Sequence, residues 1–158
     1  MKRCAKIVAV VVVALIGLVL WQFFTEKYGV GVDSVSWLPP EARNITYIDN
    51  DLLRIAEFDI KQGEFERWCV SRGWPLQKLG DGELRTIERC LSMLEDRGTI
   101  PKVTEPNKAE TNLRELERTL KNFNAGDLFF EKRWANGGGY TIGYDVKEKR
   151  GYYSYSHH

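Results

Sequence analysis

Between Ile7 and Phe24 the chain runs for eighteen residues with a single polar side chain, Gln22. At about 1.5 Å rise per residue, a helix of that length spans about 27 Å, close to the hydrocarbon thickness of a bilayer. Val8, Val10, Val11, Val12, Val13, Leu15, Ile16, Leu18 and Leu20 would cover every face of it. A helix on the surface of a soluble domain shows one apolar stripe, whereas one that is apolar all round needs lipid or a large protein around it. A chain of 158 residues has too small a core to enclose this segment and still fold the rest. The run therefore predicts a transmembrane helix over residues 7–24, with the lipid bilayer as its partner.

Its flanks set the expected orientation. Lys2, Arg3 and Lys6 precede the run, while Lys27 beyond it is balanced by Glu26. The positive-inside rule then places residues 1–6 in the cytoplasm and everything after Phe24 on the far side. Trp21, Phe23, Phe24 and Tyr28 cluster at the outer end, where amphipathic rings favour the headgroup layer. A cleaved leader needs small residues before the cut. The segment WQFFTEKYGVGV offers large aromatics instead, with Gly29 and Gly31 as poor substitutes. The expectation is an uncleaved anchor on a single-pass protein, with a periplasmic or cell-surface domain.

About 134 residues remain after the run, enough for one domain. With Lys2, Arg3 and Lys6 set aside, the chain's 23 basic and 22 acidic side chains become 20 and 22, a net charge of −2. A near-neutral domain of mixed signs lacks the basic footprint of a nucleic-acid binder. Two cysteines, Cys69 and Cys90, fall beyond the membrane segment. An oxidising compartment permits a disulfide between them, and closing a loop of about 20 residues would contribute about 3 kcal/mol. Two buried thiols packing as small hydrophobes fit the sequence equally well.

The periodicity divides the chain into a cytoplasmic tail (1–6), the transmembrane helix (7–24), a juxtamembrane linker (25–37) and an extracytoplasmic domain (38–158). Residues 44–48 and 52–60 read as strands. Residues 62–72 read as a helix with Phe65, Trp68 and Cys69 inward, stopped by Gly73 and Pro75. Leu84, Ile87, Leu91 and Leu94 predict a second helix over 82–97. Ala109, Leu113, Leu116, Leu120 and Phe123 predict a third over 106–124. Alternation returns in 127–134, in Tyr140, Ile142 and Tyr144, and in Tyr153 and Tyr155, which reads as an antiparallel meander. The expected domain is α+β, in the order β-β-α-α-α-β-β-β, with about three helices packed on one face of an antiparallel sheet.

Few residues invite catalysis. The two histidines, His157 and His158, stand at the C-terminus, remote from the structured partners that a Ser-His-Asp or Cys-His arrangement requires. Neither a metal site nor a cofactor site is expected. The run Asn136-Gly137-Gly138-Gly139 leads into a strand pattern rather than a helix, so it reads as a hairpin turn and not a phosphate loop. Asn44-Ile45-Thr46 matches a glycosylation sequon and reads as coincidence. Asp59, Glu64 and Glu66, or Asp127, Glu131 and Asp145, could supply paired carboxylates for a small envelope hydrolase, although their spacing is that of ordinary surface charge. The local excess is aromatic. Phe130, Trp134, Tyr140, Tyr144, Tyr153 and Tyr155 fall on one face of the meander if the registers agree. That face reads either as core beneath the helices or as a recognition surface for a glycan or an envelope protein.

Leu38-Pro39-Pro40 with Ala42, Asn44 and Ile45 begins one set of short motifs, followed by Phe58, Glu64-Phe65 and Arg72-Gly73-Trp74. Gly143-Tyr144-Asp145 and Arg150-Gly151-Tyr152-Tyr153 form the other. In these the chain resembles a group of uncharacterised bacterial membrane-anchored proteins with an N-terminal membrane segment. The motifs cover the two ends of the domain. The resemblance implies a bacterial envelope location and no activity.

Overall fold

The computed structural model describes residues 26–100 and 120–157. The tail, the apolar run and residues 106–119 of the third expected helix lie outside the described residues. Among those described, no helix is long and apolar enough to cross a membrane.

Among the described residues nine strands and two helices follow in chain order: β1 (Lys27–Val32), β2 (Arg43–Asp49), β3 (Leu53–Asp59), α1 (Gln62–Ser71), β4 (Gln77–Lys78), β5 (Arg85–Glu88), α2 (Cys90–Asp96), β6 (Leu120–Phe123), β7 (Leu128–Arg133), β8 (Gly139–Asp145) and β9 (Arg150–Ser156). Seven strands form one sheet in the order β1-β2-β3-β9-β8-β7-β4, and β5 pairs with β6 in a second. Every pairing is antiparallel. The meander β7-β8-β9 lies against the β2-β3 hairpin through β9, which runs beside β3 from Leu53 opposite Ser156 to Asp59 opposite Arg150. Strand accounts for 44% of the described residues and helix for 15%.

That composition overturns the expected three helices on a sheet. The stretch 82–97 divides into β5 and α2. Its helical spacing is accidental, because Leu84 stays 60% exposed and Ile87 is the one buried side chain of Arg85–Glu88. Arg-Thr-Ile-Glu carries two β-branched residues and finds its main-chain partners in β6. The end of the third expected helix is itself β6, with Phe123 buried against Phe129 and Tyr152. Residues 27–32, read as part of a linker, form the edge strand β1, with Tyr28 opposite Ile48.

The sheet is also covered on both sides rather than one. On the first face, Ile45, Ala56, Phe58, Ile142, Tyr144 and Tyr153 pack under Phe65, Trp68 and Cys69 of α1 and under Leu38 and Ala42. On the second, Ile48 and Ile55 meet Cys90 and Leu94 of α2, while Phe129 and Tyr152 meet Leu79, Ile87 and Phe123. The central strands are therefore buried front and back, which masks the alternation a half-exposed strand would show. Gly151 lets the layers close on the first face: a Cβ there would lie 2.6 Å from the Phe58 ring.

Both helices end on a glycine in left-handed conformation, at Gly73 as the sequence predicts. At the end of α1 the Gly73 N–H donates to Val70 O (3.0 Å) and the Trp74 N–H to Cys69 O (3.0 Å). Gly98 and Thr99 repeat the pattern on Glu95 and Leu94 after α2. The start of α2 is capped from outside. Its own flanking residue, Arg89, offers no side-chain cap, and the fully buried Glu57 of β3 accepts the Leu91 N–H at 3.3 Å.

Candidate functional site

The C-terminal registers bring the six predicted aromatics onto the first face. Phe130 lies opposite Ile142, Ile142 opposite Tyr153, Tyr140 opposite Tyr155 and Tyr144 opposite Gly151. They do not share one environment. Tyr144 is 1% exposed and its hydroxyl donates to Ile60 O at 3.0 Å. Tyr153 is 6% exposed, and burial pushes its phenol pKa up. These two belong to the core. Phe130, Trp134, Tyr140 and Tyr155 are half-buried and continue the core outward.

Three further rings that the sequence analysis did not single out complete a strip. Trp134 meets Tyr140 at 5.6 Å and Tyr155 at 5.9 Å between ring centroids, and Tyr140 meets Tyr155 at 5.0 Å. Trp74 then links Tyr140 (5.3 Å), Phe130 (6.4 Å, stacked) and Tyr153 (6.1 Å). Trp37 carries the strip from Tyr153 (5.2 Å) to Tyr47 (6.2 Å). Trp37, Tyr47 and Trp74 are half-buried as well. Two of them were within reach of a sequence argument. Tyr47 shares the strand parity of Ile45. Trp74 occupies the position after the Gly73 helix stop, where a hydrophobic contact back to the last turn is expected, and it meets Trp68 at 5.2 Å. Trp37 stood in a segment read as linker.

Two arginines cap the strip. The Arg54 guanidinium lies 5.9 Å from the Trp37 ring centroid and Arg72 lies 6.0 Å from that of Trp74. Asp49 fixes the first of these. It accepts from Arg54 Nε at 2.8 Å and from Trp37 Nε1 at 3.1 Å, and the hydrogen bond to Asp49 holds the Arg54 pKa above its ordinary value. At the other end the His157 ring stands 6.3 Å from Trp134, while its backbone N–H donates to Leu52 O at 2.8 Å.

Five of the six candidate carboxylates are spent on structure. Asp59 accepts from Arg150 (3.0 Å) and Asn44 (3.0 Å). Asp127 accepts the backbone N–H groups of Asn124 and Val146. Glu131 binds Arg133 at 2.7 Å and Glu66 binds Gln62 at 2.8 Å. Burial opposes ionisation of Asp145, but hydrogen bonds from Lys121 (2.7 Å) and from backbone N–H groups outweigh it and hold the pKa below the usual carboxylate value. A general acid needs the opposite shift. A cleft of about 480 Å³ does gather Glu41, Asp59 and Glu64, but it interleaves them with Arg43, Lys61 and Lys149. Among the described residues, no group of three His, Cys, Asp or Glu side chains could hold a metal ion.

Cys69 and Cys90 are free and buried. Cys69 belongs to the core of the first face and Cys90 to that of the second, with the sheet between them. The alternative of a bridge is therefore not realised in this fold. Burial, with Glu66 nearby, pushes the Cys69 thiol up to about 12, and burial raises Cys90 in the same direction.

No family model matches the chain, and neither a curated protein nor a solved structure is significantly similar to it.

Proposed function

We propose that the chain is a single-pass membrane protein of the cell envelope, with its N-terminus cytoplasmic and its domain outside. In this reading the domain is a binding module without catalytic activity, and its aromatic strip engages an envelope glycan or a partner protein. The observation that carries the reading is the strip itself. Rings that merely complete a core end where the core ends, whereas Trp37, Trp74, Trp134, Tyr140 and Tyr155 continue half-buried to the surface under two arginines. Trp, Tyr and Arg are the residues that dominate binding energy at protein surfaces, and flat rings also stack on sugar faces.

Two measurements test the proposal. Tryptophan fluorescence of the full-length protein, titrated with isolated envelope polysaccharide, should change in wild type and lose that response in Trp134→Ala and Tyr155→Ala. If polysaccharide has no effect, a photo-crosslinking residue at position 155 in cells should capture a discrete partner that disappears with Arg54→Ala. Failure of both would remove the strip as a site. The anchor is tested separately, by adding protease outside intact cells or spheroplasts to a chain with a C-terminal epitope. A full-length, membrane-pelleting chain with an accessible epitope supports it. A shortened, freely soluble chain means residues 2–24 were a leader.

A further inference from the structure

A second site lies along the β7 edge of the sheet, where it borders the aromatic strip at Phe130. Among the described residues, strand β7 is covered on its outer side only at Leu128 and Phe129, by the two residues of β4. Leu79 N–H donates to Asp127 O at 2.9 Å, which fixes the hydrogen-bonding parity. The Asp127 carbonyl thus faces the β4 side, and the same parity turns the peptide groups of Phe129, Glu131 and Arg133 outward. In this register the partner of Glu131 would be residue 75. Position 75 is proline, which has no N–H and ends the ladder. The outward peptide groups of Glu131 and Arg133 are therefore left without a strand partner among the described residues. A cleft of about 360 Å³ occupies the place where that strand would continue. It is floored by Leu79, Phe129 and Phe130 and flanked by Arg85 and Arg133.

The charge around this edge is one-sided. Lys78, Arg85 and Lys132 are exposed, without an ion pair among the described residues, and Arg133 is balanced by Glu131. The other long edge, β1, is unsuited to the same use. It carries a bulge between Gly29 and Val32 with Gly31 in left-handed conformation, a device that turns an edge away from pairing.

We infer that the cleft beside β7 binds an extended acidic peptide, which adds to the sheet as a strand through the peptide groups of Glu131 and Arg133, with Arg85 on one face of it and Lys132 on the other receiving its carboxylates. Main-chain hydrogen bonding supplies affinity in this mode, and the flanking charges select the sequence.

The test uses full-length protein in detergent micelles and the ten-residue peptide Thr-Thr-Glu-Glu-Thr-Thr-Glu-Glu-Thr-Thr, whose carboxylates fall on both faces of a strand. A second peptide of the same sequence is N-methylated on alternate backbone nitrogens. Saturation with the first should slow amide exchange of Glu131 and Arg133 by about ten-fold or more, because those donors become paired. The N-methylated peptide should bind about ten-fold more weakly or worse, since it cannot complete the ladder. Arg85→Glu should weaken the unmodified peptide several-fold with an unchanged thermal midpoint, and added salt should weaken it in wild type. Equal affinity for the two peptides, saturation without protection, or no binding would overturn the inference. So would protection already present without peptide. If it rises with protein concentration the edge belongs to a second copy of the chain, and if it does not, the chain itself covers it.

Discussion

On the first face of the sheet, Phe58, Phe65, Trp68, Tyr144 and Tyr153 are joined by ring contacts of 5.1 to 6.3 Å. On the second, Phe123, Phe129 and Tyr152 form a smaller ring cluster, and beside Tyr152 the core closes over a buried ion pair. Glu57, fully buried, accepts from Arg89 at 2.9 and 3.2 Å, with Arg150 3.9 Å away. Rings can be added to a ring cluster one at a time, each gaining some area and some edge-to-face contact, so that core grades into surface. A buried carboxylate allows no such gradation: it is compensated or it is not. The first face can therefore carry a recognition surface as an extension of its core, while the second fixes how α2 and β5 dock.

The largest expected effect separates these two kinds of packing. Arg89→Ala should cost about 3–5 kcal/mol in urea unfolding, because Glu57 would keep its burial and lose its hydrogen-bonded charge partner, leaving only Arg150 3.9 Å away. The double variant Glu57→Leu with Arg89→Met should recover most of that loss, since an apolar pair of similar volume is often neutral. If the double variant were as unstable as the single, the cap that Glu57 gives the Leu91 N–H, and not the ion pair, would be the essential contact.

A somewhat smaller effect tests where core becomes surface along the first face. Tyr144→Ala removes a buried ring and its bond to Ile60, and should cost about 3 kcal/mol or more, the range for a large aromatic truncated in a core. Trp134→Ala and Tyr155→Ala, at the half-buried end, should cost only about 0.5–1.5 kcal/mol, the worth of an aromatic pair with little further burial. Comparable losses at both ends would make the strip core throughout and would end its candidacy as a site.

The two faces were not equally legible in the sequence. Phe65, Trp68 and Cys69 inward on α1, the Gly73 stop and the β7-β8-β9 meander follow from local chemistry, and the structure carries each of them. The second face depends on contacts distant in the chain. Nothing in Arg85–Glu88 announces that its partner is Leu120–Phe123, and Leu84, Ile87, Leu91 and Leu94 imitate a helix stripe until Leu84 is seen to face solvent. Glu57 reads as an outward residue of an alternating strand, because its partner Arg89 lies 32 residues away. For the site, strand parity located the four C-terminal tyrosines, Phe130 and Trp134. It was not applied to Tyr47, which shares the parity of Ile45, and it missed Trp37 and Trp74, which reach the strip from irregular segments with no period to betray them.

Charge placement at the edge of the second face gives a pH-dependent comparison. Burial disfavours the charged form of Lys121, yet its bonds to Asp145 and Glu148 (2.7 and 3.0 Å) prevail and raise its pKa, while the pKa of Asp145 is lowered. The depressed carboxylate stabilises the fold above its unfolded value, near 3.8, and that contribution is lost as pH falls through the folded value. The raised ammonium stabilises below its unfolded value, near 10.5, and is lost as pH rises through the folded one. The stability gap between wild type and Lys121→Met should therefore be widest between about pH 5 and 9 and close towards both extremes. A gap that stayed constant with pH would mean that Lys121 contributes only its alkyl packing, over Tyr152 5.6 Å away.

The smallest expected effect concerns the cysteines, and it asks whether the two faces are covalently joined. The reactive form of cysteine is the thiolate, and burial holds both thiols well above neutral pH, with Cys69 at about 12. In a Cys4→Ser background, iodoacetamide should modify neither residue until the protein is unfolded. A reducing agent should leave the thermal midpoint where it is. A bridge between positions 69 and 90 would respond differently: closing a loop of about 20 residues is worth about 3 kcal/mol, and each kcal/mol moves the midpoint of a domain this size by about 4 °C. A drop of about 10 °C on reduction would require Cys69 and Cys90 to meet, which the fold forbids while the sheet stands between them. That result would place α1 and α2 on one side of the sheet and return the fold to helices on a single face.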